Sequence, residues 1–264
     1  MIVYEQVPKT LMFAQLRQQK VIALLKERSS LSVPELGQLL RASPATVRRD
    51  LGFLEEAGQI VRTHGGVMAA GQRAGEASFG RKSRREQAAK RAIAEVAVAL
   101  VQDGSTVFVD SGTTAFKVGA RLLRRPGVTV YTNSVPLLNE APAAGGRLVA
   151  LGGEVRAVSQ ALVGGAALGW LGRLRFDVAF VGASGIDPAG PCTTELGEAE
   201  VKDAAVRGAR RAVLVADGSK WELRAPIVFS PWSEFDDVIT DRRLAAAERE
   251  AFNRHRIRIH PTRT

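Results

Sequence analysis

Six short apolar runs, each followed by enough chain for a helix or a crossover, constrain most what this chain can fold into: TVFVD at 106–110, VTVYTN at 128–133, RLVALGG at 147–153, VAFVGASG at 178–185, AVLVADGS at 212–219 and DVIT at 237–240. A strand with one wet face alternates apolar and polar residues, whereas these runs are apolar nearly throughout. They predict a mainly parallel sheet covered by helices on both faces, an α/β domain over residues 91–264. Ligands of such sheets gather at the carboxyl ends of the strands, which here carry Asp110, Asn133, Gly152 and Gly153, Gly182 to Ser184, and Asp217. With 264 residues, 45% hydrophobic and 24% charged, the chain has the composition of a globular protein with a sizeable core.

The first part of the chain has a different pattern. RQQKVIALLKE, Arg17 to Glu27, sets Val21, Ile22, Leu24 and Leu25 on one side of a helix. Ser32-Val33-Pro34-Glu35 is a capping box that opens a second helix reaching about Leu40, and Ser43-Pro44 opens a third that runs to Gly58. Strand formers Ile60, Val61 and Val67 around Gly65-Gly66 then give a hairpin. Helix, helix, helix, hairpin is the order of a winged helix-turn-helix, placed at residues 16–70 after an extension at 1–15. Small residues and cations with little apolar pattern make 71–90 a linker.

Charge divides along the same line. The net charge is +10; residues 1–91 hold 16 Lys and Arg against 8 Asp and Glu, the remainder 21 against 19. A basic segment joined to a nearly neutral domain suggests a polyanionic partner, although a solvated basic surface gives the same count. Cys192 is the single cysteine, and His64, His255 and His260 are scattered, so neither a disulfide nor a metal site is expected. The charge-free stretch between Arg156 and Arg173 is too short and glycine-rich to cross a membrane, and the opening MIVYEQVPKT lacks the form of a secretory signal. A cytoplasmic protein without cofactor is expected.

Within the third helix Val47, Leu51 and Leu54 follow i, i+4, i+7 spacing and face inward. Ser43, Pro44, Ala45, Thr46, Arg48 and Arg49 are left at its start or on its outward side. In a helix-turn-helix that end enters the major groove, where Arg48 and Arg49 fork onto guanine edges or phosphates and Thr46 meets a phosphate or a thymine methyl. Arg62 and His64 in the wing, with Lys20 and Arg41, add phosphate contacts. The bland alternatives are a solvated helix face for the arginine pair and a structural hydrogen-bonding role for His64.

In the α/β domain, Asp110-Ser111-Gly112-Thr113-Thr114 leads from a strand into a helix, so unpaired backbone N–H groups and hydroxyls face one spot where the helix dipole favours an anion. An ordinary N-cap has the same sequence. Thr132-Asn133-Ser134, Gly152-Gly153 and Asp217-Gly218-Ser219-Lys220 are the further polar strand ends expected to converge on this crevice.

The run from Arg17 to Val67, with TVRRDL followed by RTHGG, resembles the N-terminal domain of the DeoR family of bacterial transcriptional regulators. The similarity extends through DSGTT, TNS, LGG, FVGASGID, ADGSK and VITD, over about residues 16–243. The resemblance implies an effector domain with the ribose-5-phosphate isomerase fold, shared also with glucosamine-6-phosphate deaminase, that binds a phosphorylated sugar or polyol. It further implies that Ser111 to Thr114 hold phosphate, that Asp110 and Asn133 contact sugar hydroxyls with Ser134 and Ser184 beside them, and that Lys220 pairs with the anion. Glu198 and Lys202 match the family's EAxVK pattern; read from spacing alone they are an ordinary i, i+4 surface pair. The family's function would be repression of a carbohydrate-metabolism operon by a homodimer or homotetramer on double-stranded operator DNA, relieved by the metabolite. The alternative is a sugar-phosphate isomerase-like enzyme carrying a DNA-binding domain, with Asp110, Asp187, Glu198 and Lys202 as the groups that would move a proton and stabilise an enediolate.

Overall fold

A computed structural model describes the backbone of residues 9–28, 31–57, 59–63, 66–69, 77–140, 142 and 146–262. It divides into two compact units, Met1–Lys82 and Ser83–Thr264.

The first unit holds α1 (Lys9–Glu27), α2 (Val33–Leu40), α3 (Pro44–Glu56) and an antiparallel hairpin of β1 (Ile60–Thr63) and β2 (Gly66–Ala69). The α1 helix begins eight residues before Arg17, because KTLMFAQL contains no breaker and simply extends the turn pattern. Ser32 and Glu35 form the reciprocal capping box at α2, and Arg41 turns the chain toward α3 in the left-handed region at φ 49°. The side chains of Val21, Leu25, Leu36, Val47, Leu51 and Leu54 close one core with Leu31, Ile60 and Val67. Leu31 also pairs with Val67 as a third strand would, through two backbone bonds of 3.0 and 2.8 Å. This close approach explains Gly66: a Cβ there would lie 2.3 Å from the Leu31 carbonyl oxygen. His64 and Gly65 in the hairpin turn lie outside the described residues.

Composition made 71–90 look irregular, yet α4 (Phe79–Arg84) lies there; α5 (Gln87–Ala99) begins where the apolar spacing turns helical from about Glu86, with Ala89 and Lys90 buried. The second unit continues with β3 (Thr106–Val109), α6 (Thr113–Leu122), β4 (Thr129–Thr132), α7 (Val135–Leu138), β5 (Arg147–Ala150), β6 (Glu154–Arg156), β7 (Ala161–Val163), α8 (Gly165–Leu171) and β8 (Val178–Val181). It ends with β9 (Gly185–Asp187), β10 (Gly190–Thr193), α9 (Leu196–Arg207), β11 (Ala212–Val215), β12 (Ile227–Val228), β13 (Asp237–Thr240), α10 (Ala246–Arg254) and β14 (Arg258–Pro261).

Seven strands form one parallel sheet in the order β14-β13-β11-β8-β3-β4-β5. Alternate residues of a strand point to opposite faces, and the core divides accordingly. Val107, Val109, Phe180 and Val215 pack under α5 and α6, while Phe108, Val181, Leu214 and Val238 pack under α8, α9 and α10. The chain leaves β3 toward β4 on one side and β8 toward β11 on the other, so the topological switch point lies between the carboxyl ends of β3 and β8. In open sheets of this kind that crevice is the binding site. The small antiparallel sheet β12-β10-β9 and the hairpin β6-β7 supplement the main sheet. No helix among the described residues is long and apolar enough to cross a membrane, and no group of three or more His, Cys, Asp or Glu among them could hold a metal ion.

Candidate nucleic-acid interface and effector site

At the start of α3 the Ser43 side chain accepts from the Thr46 N–H at 3.2 Å and its hydroxyl lies 2.9 Å from Thr46 Oγ1. The helix is thereby capped by the two hydroxyls that sequence reasoning placed on DNA. Ser43, Pro44, Ala45, Arg48 and Arg49 are exposed and Thr46 half-buried, so the cationic side of α3 faces water. Between the outward arginines and the buried leucine of VRRDL stands Asp50, which is buried and accepts from Arg17 Nε at 2.8 Å and Nη2 at 3.2 Å. This bidentate pair fixes α3 against α1 and raises the Arg17 pKa. Arg62 lies in β1, its side chain outside the described residues together with His64.

At the switch point of the second unit, Asp110 is fully buried, and its Oδ2 accepts from the Gly182 N–H at 3.0 Å, the Gly112 N–H at 3.3 Å and Lys202 Nζ. Ser111 Oγ approaches Oδ1 at 3.4 Å. One carboxylate therefore ties the loop after β3 to the end of β8 and to α9, which makes Asp110 an organiser of the crevice. Gly112 caps α6 without a side-chain bond, leaving the first-turn N–H groups of Thr113 and Thr114 to face the crevice.

The neighbouring strand end is pinned through its backbone. Thr132 Oγ1 donates to the Val109 carbonyl at 2.6 Å and accepts from the Ser134 N–H at 3.0 Å, and Asn133 bonds Leu162 through its main-chain carbonyl and its Nδ2. Asn133 Oδ1 and Ser134 Oγ are buried without a partner among the described residues, and so is Asp217 Oδ2 at the end of β11. Buried polar atoms are nearly always paired, so these three orphans at strand ends stand out.

Glu198 and Lys202 face inward from α9 and do not pair with each other. Glu198 accepts from Arg156 Nη1 at 2.9 Å and from Thr193 Oγ1 at 3.2 Å, while Lys202 reaches Asp110 and the Gly182 carbonyl at 3.1 Å. An i, i+4 pair was legible in the sequence; that each member serves a different strand was not. Gly152 and Gly153 have φ of 74° and 114°, and a Cβ on Gly153 would lie 2.4 Å from the Val163 carbonyl oxygen, so this pair builds the turn from β5 to β6. Ser184 is half-buried and its N–H bonds the Cys192 carbonyl. Lys220 is half-buried in the short 3-10 turn after Asp217. Burial pushes the Cys192 thiol pKa up, which keeps it protonated and unreactive.

Two family models match the chain: the DeoR-like helix-turn-helix domain over residues 17–73 and the DeoR C-terminal sensor domain over residues 85–242. The chain belongs to the DeoR family. It is a DNA-binding transcriptional regulator. Among its relatives, the HTH-type transcriptional regulator GlpR of Haloferax volcanii is 35% identical over 89% of this chain and 92% of the relative. The glycerol-3-phosphate regulon repressor of Escherichia coli K12 is 30% identical over 92% of this chain and 97% of that one. A ribose-5-phosphate isomerase from Methanocaldococcus jannaschii is similar over 50% of this chain and 53% of its own, with 21% identity and a TM-score of 0.36, a likeness too low to carry chemistry across.

Four residues of this DeoR-family sensor escaped sequence reasoning. Arg156 and Thr193 hold Glu198, and both come from the small antiparallel elements whose partners are distant in sequence. Phe229 lies under the Lys202 ammonium, 5.6 Å from ring centroid to Nζ. Lys90 is 2% exposed in the first turn of α5 and donates to the Arg85 carbonyl at 2.6 Å. Its position three residues before Ile93 and seven before Ala97, in line with the buried stripe, was the available signal.

Proposed function

We propose that this regulator represses a carbohydrate-metabolism operon and that a phosphorylated sugar or polyol, bound at the carboxyl edge of the sensor sheet, releases it from its operator. The observation that carries this reading is the coincidence at the topological switch point of an uncapped α6 start with three orphaned buried polar atoms, Asn133 Oδ1, Ser134 Oγ and Asp217 Oδ2. The helix start suits an anion, and the orphans suit hydroxyls. The names of relatives point the same way, one a glycerol-3-phosphate regulon repressor and another a putative aga operon repressor.

In this reading Ser111 to Thr114 hold the phosphate, with Lys220 as a cation beside them. Asn133, Ser134, Ser184 and Asp217 read hydroxyls, and Asp110, Glu198 and Lys202 hold the site's shape. No turnover is assigned, because isomerisation needs a carboxylate free to move a proton. Asp110 and Glu198 are both engaged by donors from the protein itself. On the DNA side, Arg48 and Arg49 read the major groove, Ser43 to Thr46 lie against the backbone, and Arg62 and His64 act from the wing. One winged head reads few base pairs, so a homodimer or homotetramer engages half-sites about 10 base pairs apart or multiples of that.

The effector lowers operator affinity only by the difference in its affinity for two arrangements of the protein. Fluorescence anisotropy with a labelled fragment of the protein's own promoter, against bulk competitor DNA and with ribose 5-phosphate, glucose 6-phosphate and glycerol 3-phosphate in turn, tests the whole reading. Preference for the promoter that one of these weakens is expected; equal affinity for promoter and competitor under every condition overturns it.

A further inference from the structure

We propose that the amino edge of the parallel sheet is a second contact surface for the phosphate backbone of duplex DNA, carried by a row of outward arginines apart from the winged head. It goes beyond the effector crevice, which lies at the opposite, carboxyl edge, and does not depend on how that crevice is read.

The helices α6, α8, α9 and α10 lead into β4, β8, β11 and β14, and each of these strands is entered through two arginines: Arg124 and Arg125, Arg173 and Arg175, Arg210 and Arg211, Arg256 and Arg258. No lysine stands between these helices and their strands. In every pair one member is engaged by the protein. Arg125 Nη1 donates to the Val98 and Val101 carbonyls at 3.0 and 2.7 Å, behind α5, and Arg175 Nη1 to the Leu174 carbonyl at 2.7 Å. Arg211 and Arg258 hold the buried Asp237 through their Nε atoms, at 2.6 and 3.1 Å. The other member is left to the solvent. Arg124, Arg173 and Arg256 are exposed and make no side-chain bond among the described residues, and Arg210, its side chain 86% exposed, only approaches Asp177 at 3.5 Å.

Helix C-termini favour a nearby cation, and five helices end at this edge, but the engaged arginines already supply that charge. The acids of the edge are engaged as well: Asp103 by Arg125, Asp177 by the Thr106 N–H at 2.9 Å and Asp236 by the Ala212 N–H at 2.8 Å, with Glu234 exposed beside them. From β14 to β4 the sheet order counts five strand spacings of about 4.8 Å, so the outward arginines form a row about 24 Å long. That length suits a polymer. A sugar phosphate meets one or two of these side chains at most, whereas a duplex carries a charge every ~1.7 Å along its axis. Arginine also suits phosphate better than lysine does, because its planar fork bonds two oxygens at once. The helix-turn-helix domain brings this polyanion to the chain.

Fluorescence anisotropy of the intact protein on a labelled random-sequence duplex of about 40 base pairs, repeated over a range of salt, tests the proposal. The slope of log affinity against log salt changes by about 0.9 for each phosphate contact. The fourfold variant Arg124→Gln, Arg173→Gln, Arg210→Gln, Arg256→Gln should have a slope shallower by about 2 to 4. A charge-matched control, Arg91→Gln, Arg224→Gln, Arg243→Gln, Arg249→Gln, removes exposed arginines elsewhere on the sensor and should change the slope by less than about 1. Lysine at the first four positions should keep most of the slope, since the charge stays.

A parental slope in the fourfold glutamine variant overturns the proposal and leaves the row as a stabiliser of helix ends. An equal change in the control overturns it too, because the effect is then one of net charge. So does a parent without affinity for random duplex. If the fourfold variant does not fold, Arg173→Gln with Arg210→Gln decides, with a slope shallower by about 1 to 2 expected. Random DNA without effector keeps the outcome independent of operator and sugar phosphate, so the crevice reading is tested separately.

Discussion

The two units handle charge in opposite ways. The DNA-reading head leaves Arg48 and Arg49 exposed and, among its described residues, buries one carboxylate, Asp50, to lock α3 against α1. The sensor buries Lys90, Lys202, Asp110, Glu198 and Asp217 at one edge of its sheet. A polyanion as extended as DNA is met by exposed cations that give up little hydration and act through counterion release. A small ligand must be met inside, where hydrogen bonds are stronger and each unpaired charge is costly. Substitutions in the sensor crevice should therefore act on folding as well as on ligand binding, and those on the outer face of α3 on DNA binding alone.

The largest effect that would break this contrast is expected at Lys202. Removing its ammonium by Lys202→Met leaves the Asp110 carboxylate buried with fewer donors, and breaking a buried pair from one side costs about 3–5 kcal/mol. Urea denaturation of the sensor transition measures it. The double variant Asp110→Asn with Lys202→Met should recover part of the loss, because the two groups act as one. Additive losses would mean that the pair contributes nothing as a pair, and the contrast with the head would fail.

Legibility in the sequence follows the same division. In the head almost everything rests on local signals: two serine caps, the i, i+4, i+7 spacing of Val47, Leu51 and Leu54, and the hairpin around Gly66. The second and third helices and the hairpin strands stand where those signals placed them, while the first helix begins at Lys9, eight residues before the place its apolar pattern gave. The six apolar runs became six of the seven strands of the parallel sheet, five of them inner and β5 at one edge. Its other edge strand, β14, and the small antiparallel pairs went unread, since RIHP and EVR are only four and three residues long, too short for an alternation to stand out. The strand ends named the crevice, but not which polar groups it spends on itself. That Lys202 turns to Asp110, 92 positions away, and Glu198 to Arg156, 42 away, depends on sheet order, which no local spacing encodes.

A smaller effect sharpens the other side of the comparison. Arg49→Ala removes an exposed cation, so the stability of the head should be unchanged within about 0.5 kcal/mol. Operator affinity should fall by about 1–3 kcal/mol if the guanidinium reads a base, with random DNA affected less. Titrating both DNAs over a range of salt separates the cases: a uniform loss with a shallower salt slope would reassign Arg49 to phosphate.

The smallest effect lies where the two behaviours meet. Ser43 both caps α3 and stands at the helix end proposed to approach DNA, so Ser43→Ala removes the bond to the Thr46 N–H and the hydroxyl contact with Thr46 Oγ1. Losing such a cap costs about 1 kcal/mol of stability. The freed Thr46 hydroxyl and N–H can then turn to a phosphate, which would offset part of the loss in the complex. Operator affinity is therefore expected to change by less than stability does, with Ser43→Asp restoring the stability while repelling the backbone. If Ser43→Ala weakens DNA binding by more than it weakens folding, the serine is itself a DNA contact, and the cap and the interface are one group.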